Sequence, residues 1–132
     1  SEESFCYKDY EEYCNVYGRL YSWEGATTAC PTGWHISTDI EWALLTSNYG
    51  GIKQAAGEIK EGGESGLNIM MAGFGESDGS YIDIGVNGYY WKTQDLEYQI
   101  PGLITFHSGK EYLSADRINK THRNSVRCVR DH

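Results

Sequence analysis

The sequence predicts a single α+β domain, and three observations support this fold class. Apolar residues follow helical spacing in roughly the first 60 residues, whereas short alternating or apolar segments separated by glycine turns fill the remainder. One early cysteine ends a predicted helix, and the last cysteine lies in the closing strand. The length of 132 residues suits one domain. We therefore expect residues 1–132 to form two N-terminal helices packed on twisted antiparallel strands, with neighbouring termini.

The first two elements are predicted from residues 4–30. Aromatic and charged side chains alternate over residues 4–21, a pattern that is typical of an exposed two-stranded hairpin. Ser22 then provides a helix cap, and Trp23 and Cys30 share one helical face until Pro31 prevents continuation. Cys30 is therefore expected to end the first helix with its side chain directed inward.

A second helix is predicted to begin at Thr38, after a short strand at residues 32–36. The run "TDIE" suits a capping box, in which Thr38 accepts from the amide of Glu41 and Glu41 reaches back. Trp42 and Leu45 continue the buried face, and a Gly-Gly pair ends the helix.

The rest of the chain is predicted to consist of strands and loops. Residues 67–75 have the composition of a mostly buried strand, and residues 81–93 form a strand interrupted by glycines. Residues 103–106 and 111–113 flank a turn, and residues 125–130 supply the closing strand.

The four cysteines predict two disulfides. They include no C-x-x-C pair, so the spacing of zinc ribbons and thioredoxin-like redox sites is missing. Of the three possible pairings, Cys6–Cys14 with Cys30–Cys128 suits the local structure best, because the first would close a hairpin and the second would join an early helix to the last strand. Disulfides imply a secreted or cell-surface protein; the alternative is four reduced thiols in the cytosol.

Composition and charge narrow the class of partner. The net charge of −8 leaves no overall positive field for a phosphate backbone, so we expect no nucleic acid partner. No apolar run approaches the roughly 20 residues that cross a bilayer, and no leader opens the chain, so we expect no membrane insertion. Eleven Tyr, four Trp and sixteen Gly are typical of a recognition protein rather than a helical enzyme.

Three blocks of sequence carry a resemblance to a known family. They are "YGRLYSWEGATTACPTGWHISTDIEWALL", "AGFGESDGSYIDIGVNGYYW" and the closing "SVRCVRD". In this order they resemble the Fibrobacter succinogenes major paralogous domain, which occurs in secreted and surface proteins of Fibrobacter and Bacteroidetes. The resemblance covers residues 5–131 and implies a C-type-lectin-like fold, whose plan of helices followed by strands matches the elements predicted above.

The same blocks are more distantly similar to the formylglycine-generating enzyme family, which shares the lectin-like fold. Those enzymes bind copper through a cysteine pair late in the chain, whereas residues 31–127 contain no cysteine. No G-x-S-x-G motif supports a Ser-His-Asp site, which would have to assemble from distant residues. We therefore expect no enzymatic activity and no catalytic cofactor.

The resemblance to lectin-like domains implies recognition by the strands and loops that follow the helices. Flat rings cover the C–H faces of a sugar, and amides, carboxylates and amines bind its hydroxyls. The candidate ligand-binding residues are Tyr90, Lys92, Gln94, Asp95, Tyr98, Gln99, His107, Lys110 and Tyr112. The same mixture suits a protein partner. Alternatively, strand alternation places Tyr89 and Trp91 on the core face and leaves Tyr90 and Lys92 outside.

The sequence gives different support to calcium in sugar binding and to calcium as a structural ion. Calcium-dependent lectins use E-P-N or Q-P-D followed by W-N-D, whereas this chain has "QIPG" at 99–102 and no W-N-D, so sugar chelation by calcium is not implied. A structural calcium and an ion-free Asx turn both fit the oxygen-rich segment at 78–87. The candidate calcium ligands are Asp78, Ser80, Asp83 and Asn87.

Two further expectations concern aromatic and charged residues. Trp34, Trp42 and Cys30 are predicted to lie in the core where the helices meet the sheet, and His35 is predicted to be a hydrogen-bonded structural residue.

Acidic residues are concentrated at the start of the chain and basic residues at its end. They are Glu2, Glu3, Asp9, Glu11 and Glu12, then Arg117, Lys120, Arg123, Arg127 and Arg130. Cross-strand pairing explains both groups; the alternative is a basic patch for a glycosaminoglycan or other acidic polymer.

The sequence therefore predicts a non-catalytic recognition module of a secreted or surface bacterial protein. Its expected ligand is carbohydrate, as plant or cell-surface polysaccharide, bound by the aromatic and polar residues of the second half. The alternative is a structural or protein-binding domain of a bacterial surface adhesin or assembly.

Overall fold

A computed structural model describes most of the chain as an α+β fold, in agreement with the predicted class. The described residues are 4–48, 69–94, 96–97, 99–107, 113–114 and 119–131. Their helices are a 3-10 turn at Tyr7–Asp9, α1 at Glu11–Tyr17, α2 at Trp23–Ala26 and α3 at Asp39–Asn48. Their strands are β1 Ser4–Phe5, β2 Leu20–Tyr21, β3 Trp34–Ile36, β4 Phe74–Gly75, β5 Tyr81–Ile82, β6 Asn87–Thr93, β7 Pro101–His107, β8 Leu113–Ser114, β9 Ser125–Val126 and β10 Cys128–Arg130.

The predicted hairpin over residues 4–21 is wrong in its middle. Strands β1 and β2 pair antiparallel, but helix α1 lies between them. Tyr10, Tyr13 and Tyr17 recur at intervals of three and four residues, which is the helical period, and neighbouring rings in this series lie 6.2 and 6.5 Å apart. The helical spacing of the tyrosines therefore prevails over the alternation of aromatic and charged residues.

Helix α2 starts at the predicted cap but is shorter than predicted. The amide of Gly25 donates to the hydroxyl of Ser22 at 3.2 Å, as the cap requires. The helix ends at Ala26 because two threonines follow: Thr27 and Thr28 bond their hydroxyls to backbone carbonyls three residues back. Such local bonds compete with the helical ladder.

The capping box of α3 is confirmed. The amide of Glu41 donates to the Thr38 hydroxyl at 3.2 Å, and the amide of Thr38 donates to Glu41 Oε1 at 2.9 Å. Trp42 is buried in the core, and Leu45 packs against it.

The central sheet has the strand order β8-β7-β6-β9. Strands β6 and β7 are antiparallel from Asn87–His107 to Thr93–Pro101, but β9 runs parallel to β6. The expectation of antiparallel strands throughout is therefore wrong for β9. Residues 67 and 68 of the predicted strand at 67–75 lie outside the described residues. Over residues 69–75 the prediction is wrong for most of the length, because only the two residues of β4 form a regular strand there, although Ile69 and Met71 are buried as expected.

Two hydrophobic clusters cover opposite faces of β6. One contains Trp42, Ile69, Met71, Tyr90, Ile104 and Phe106. The other contains Trp23, Ala26, Ile36, Trp91 and Leu103. Successive side chains of a strand point to opposite faces, so Tyr90 and Trp91 enter different clusters and both are buried.

Both predicted disulfides are confirmed. Cys6 bonds to Cys14, and Cys30 bonds to Cys128 across a separation of 98 residues. The second bond lies beside the antiparallel pair β3–β10, in which Cys128 is opposite Ile36. None of the helices within the described ranges has the length and apolar character needed to span a membrane.

Candidate functional site

A surface groove of about 230 Å³ lies between the β3–β10 pair and helix α3. We call it the Trp34 groove. The residues that matter for its chemistry are Trp34, Glu41, Trp42, Leu45, Arg127 and Arg130. Its lining is mostly apolar, and the residues around it include a tryptophan, a glutamate and two arginines. Such a combination of an apolar surface with a few polar groups is typical of a binding site.

Trp34 is the exposed aromatic residue of this groove. It is 43% exposed, so its predicted core position is wrong, whereas the prediction for Trp42, which is 6% exposed, is confirmed. Trp34 lies at the outer end of a two-stranded sheet, where no second layer covers it as the clusters cover β6 in the described part of the chain. Cys30 is partly buried against the second cluster.

Arg130 is the cross-strand neighbour of Trp34 in the register of β3 and β10. Residues directly opposite each other share a face of the sheet, with Cβ atoms about 4.5–5.5 Å apart. Arg127 lies between β9 and β10 and reaches the same groove. Both arginines are exposed, and among the described residues neither is in an ion pair.

His35 lies between two carboxylates, one of which belongs to Glu41 of this groove. Its Nε2 lies 2.6 Å from Glu41 Oε2, and its Nδ1 lies 2.6 Å from Asp131 Oδ1. Burial of the ring acts to lower the pKa of His35, but the hydrogen bonds and charges of Asp131 and Glu41 prevail and raise it above its usual value. The protonated ring donates from both nitrogens, which satisfies both contacts. The prediction of a bonded structural histidine is confirmed.

The charge of Glu41 is therefore partly balanced within the protein by His35, which Glu41 shares with Asp131. One carboxylate oxygen contacts His35, and the other accepts from the amide of Thr38. The positive charges of Arg127 and Arg130 have no such balance among the described residues. The rim of the groove is therefore locally positive, in a chain whose net charge is −8.

A second cavity, of about 380 Å³, lies between β1 and the segment around Lys120. Its arginine, Arg123, is already engaged: the guanidinium lies 3.7 Å from the centre of the Phe5 ring and donates to the Tyr81 hydroxyl at 2.7 Å. Trp23 lines this cavity but is 8% exposed. The Trp34 groove, with its exposed tryptophan and two arginines that form no ion pair with the described residues, is the stronger candidate.

The expected cross-strand pairing of acidic and basic ends is wrong for the residues the structure describes. No ion pair there joins Asp9, Glu11 or Glu12 to a C-terminal basic residue. The cation–π stacking of Arg123 on Phe5 replaces it at one position. Glu2, Glu3 and Arg117 lie outside the described residues.

Comparison with known proteins identifies the family. The family model described as the Fibrobacter succinogenes major domain matches residues 1–130. The chain belongs to this family. Comparison with curated proteins and with solved structures gave no match. In this Fibrobacter succinogenes major domain, the matched residues include both strands of the Trp34 groove.

The ligand residues predicted on β6 occupy different environments in this family member. Tyr90 is wrong as a ligand residue, because it is 5% exposed and its hydroxyl donates to the Met70 carbonyl at 2.9 Å. Its side chain enters the core since both faces of β6 are covered. Lys92 is partly exposed and pairs with Asp39 at 2.7 Å. Gln94 is exposed just after β6.

The remaining predicted ligand residues are described only in part. Gln99 is exposed just before β7, so it lies with Lys92 and Gln94 at one end of the β6–β7 pair. For His107 the structure gives the strand position, opposite Asn87. Asp95, Tyr98, Lys110 and Tyr112 lie outside the described residues. Ligand binding by these residues, which are not part of the Trp34 groove, therefore remains a prediction.

The four predicted calcium ligands fall into two hydrogen-bonded pairs. Asp78 accepts from the amide and hydroxyl of Ser80 at 2.9 and 2.6 Å, an Asx turn whose bonds lower the pKa of Asp78. Asp83 Oδ2 accepts from Asn87 at 3.2 Å and from the Tyr89 hydroxyl at 2.7 Å. Within the described ranges, no three His, Cys, Asp or Glu residues form a metal-binding group. A structural calcium stays a prediction.

The sequence patterns did not predict the Trp34 groove, although the chain carries one signal for it. The bond between Cys30 and Cys128 brings two distant chain segments together. Trp34 follows the first cysteine by four residues, and Arg127 and Arg130 lie close to the second. The cysteine pairing alone therefore indicates that an aromatic residue and two arginines are neighbours.

Proposed function

We propose that this domain is a non-catalytic recognition module of a secreted or cell-surface bacterial protein and that it binds carbohydrate in the Trp34 groove. The observation that carries the proposal is the pairing of exposed Trp34 with Arg130 across β3 and β10. An indole ring covers the apolar C–H face of a sugar, and a guanidinium donates to the oxygens at its edge. The groove combines both in one place.

The size of the groove suits one sugar unit of a longer chain. Its volume of about 230 Å³ lies below the roughly 300 Å³ at which small-molecule pockets begin. An open groove of this size contacts part of a ligand rather than enclosing it. A polysaccharide that lies across the surface can place one ring on Trp34 while its neighbouring units extend beyond both ends.

Two features support the remaining parts of the proposal. Two disulfides in a small domain favour an oxidising, extracellular environment. We infer a C-type-lectin-like arrangement because the Cys30–Cys128 bond joins the helical segment to the closing strand, as the family resemblance implies.

A protein-binding function is the second candidate, and one observation favours it. Ile40 and Leu44 lie four residues apart on α3, are 68% and 61% exposed, and therefore form an apolar pair on one helix face. Apolar and aromatic side chains of this kind contribute strongly to protein interfaces. In that case the domain would serve a surface adhesin or assembly.

The proposal is tested by retention of the oxidised domain on a panel of soluble and insoluble polysaccharides, with calcium and with chelator. We expect selective retention on one polymer class, lost in Trp34→Ala. Tyr10→Ala is the matched control, because Tyr10 is 58% exposed but lies outside the groove. Equal retention of both variants would contradict the assignment of the groove, and no retention on any polymer would favour the protein-binding function.

A further inference from the structure

The charges around the Trp34 groove specify its ligand more closely. Resting on the proposed function, we infer that the groove takes an anionic polysaccharide, whose carboxylate or sulfate group binds between Arg127 and Arg130 while the sugar ring stacks on Trp34. Three observations carry this inference. The two arginines form no ion pair with the described residues, the nearby carboxylates already contact His35, and Trp34 and Arg130 are cross-strand neighbours.

The arginines of the groove differ from three other described basic residues of the chain. Lys92 is paired with Asp39, Arg19 donates to Ser4, and Arg123 is stacked on Phe5. Arg127 and Arg130 are exposed, line one groove, and have no ion pair among the described residues. Two guanidinium groups three residues apart present planar forks of donors, which match the oxygens of a carboxylate or sulfate.

The carboxylates beside the groove cancel only part of this charge. Glu41 and Asp131 both contact the ring of His35 at 2.6 Å, and the pKa of this histidine is raised. With the ring protonated, the three groups carry a net charge of −1 against the +2 of Arg127 and Arg130, so a net positive charge is left. Because the whole chain has a net charge of −8, the positive residues of the groove attract an anion only at short range. Repulsion from the rest of the surface is screened beyond about 8 Å at physiological salt.

The geometry of the Trp34–Arg130 pair explains why a charged sugar fits better than a bare anion. In a hexuronic acid the carboxylate is attached at the edge of the ring. When the ring stacks on Trp34, that edge faces sideways, toward the residue opposite in the strand register, which is Arg130. An acidic peptide would engage the arginines but would leave the indole face without a matching flat surface.

The test compares polymers that differ in their charge, in the type of their anionic group or in the presence of a sugar ring. Polygalacturonate is compared with its methyl-esterified form, which keeps the ring and removes the charge, in the presence of chelator. Heparin carries sulfate groups in addition to the carboxylate of its uronic acid units, and poly-glutamate supplies carboxylate without a ring. We expect binding to polygalacturonate, to heparin or to both, at least tenfold weaker binding to the ester and to poly-glutamate, and weaker binding at higher salt.

Single substitutions test whether Arg127 and Arg130 bind the anionic group of the ligand. Arg127→Gln and Arg130→Gln are each expected to weaken binding of the charged polysaccharide by roughly tenfold or more. Lys120→Gln, the matched control, removes an exposed positive charge outside the groove and is expected to leave binding unchanged. Thermal unfolding of each variant shows whether the fold is kept. Binding of the wild-type domain to the four polymers tests the inference without any substitution.

The outcomes separate this inference from the proposed function. Equal binding of the charged polymer and its ester, both lost in Trp34→Ala, would overturn the anionic specificity and keep carbohydrate binding. Equal binding of poly-glutamate would show that charge without a sugar ring suffices, and would overturn the inference in favour of an acidic protein partner. No binding to any polysaccharide would overturn the proposed function as well.

Discussion

The Nε2 atom of His35 lies 2.6 Å from Oε2 of Glu41, and this contact connects strand β3 to the first turn of helix α3. The other ring nitrogen contacts Asp131, just after β10. The same imidazole therefore joins three elements that border the Trp34 groove. Its protonation should influence both the stability of the domain and the shape of the groove.

The first prediction concerns pH. The pKa of His35 is raised in the folded protein, so the folded state holds a proton that the unfolded chain releases near its ordinary pKa of about 6.5. The stabilisation is complete below about pH 6.5 and is lost as the pH rises through the folded-state pKa. Denaturant unfolding of the wild type and His35→Gln between about pH 5.5 and 8.5 measures it. The difference in unfolding free energy should shrink with rising pH, and parallel curves would contradict the role of His35.

The second prediction concerns the two disulfides. Constraint of the unfolded chain grows with the size of the closed loop, and the separations are 98 and 8 residues. Replacing both Cys30 and Cys128 by alanine should cost about 4–5 kcal/mol, against about 2.5 kcal/mol for Cys6 and Cys14. Urea unfolding of the two double variants gives the comparison. A larger loss for the shorter loop would argue against the chain-entropy explanation.

The third prediction compares a buried and an exposed tryptophan. Trp91 is 0% exposed and donates from its indole nitrogen to the Tyr21 carbonyl at 2.6 Å. Trp91→Phe should destabilise the domain by about 1–3 kcal/mol, and the loss is limited because the amide of Asn124 still donates to that carbonyl. Trp34→Phe, at the exposed position, should change stability by less than about 0.5 kcal/mol. Similar losses in thermal unfolding would mean that Trp34 has a structural role.

The fourth prediction concerns two glycines on paired strands. A Cβ atom at Gly88 would lie 2.6 Å from the Met70 carbonyl oxygen, a backbone atom that cannot turn aside. Gly88→Ala should therefore cost about 1–3 kcal/mol. At Gly102 the nearest atoms are Cγ and the backbone carbonyl oxygen of Lys92, at 3.2 and 3.3 Å, so the approach to the backbone is less close than at Gly88. Gly102→Ala is the control for strand context, and an equal loss in both variants would exclude the close approach at Gly88 as the cause.

Much of the local structure followed from short stretches of sequence. The Thr38–Glu41 capping box and the strand that precedes it were predicted because their signals lie within a few neighbouring positions. The Cys30–Cys128 bond was predicted because the number and spacing of the cysteines left three pairings, and one of them agreed with the predicted elements. The family followed from blocks that span nearly the whole chain.

The candidate site depended on contacts between distant segments. Alternation along β6 predicts that Tyr90 and Trp91 face opposite ways, but it does not reveal that both faces of the strand are covered. Trp34 is exposed because its two-stranded sheet has no second layer over that end among the described elements. Whether an aromatic residue joins the core or meets a ligand is set by which surfaces pack around it. The outcome depends on how apolar area is buried across the whole fold, so no local sequence pattern predicts it.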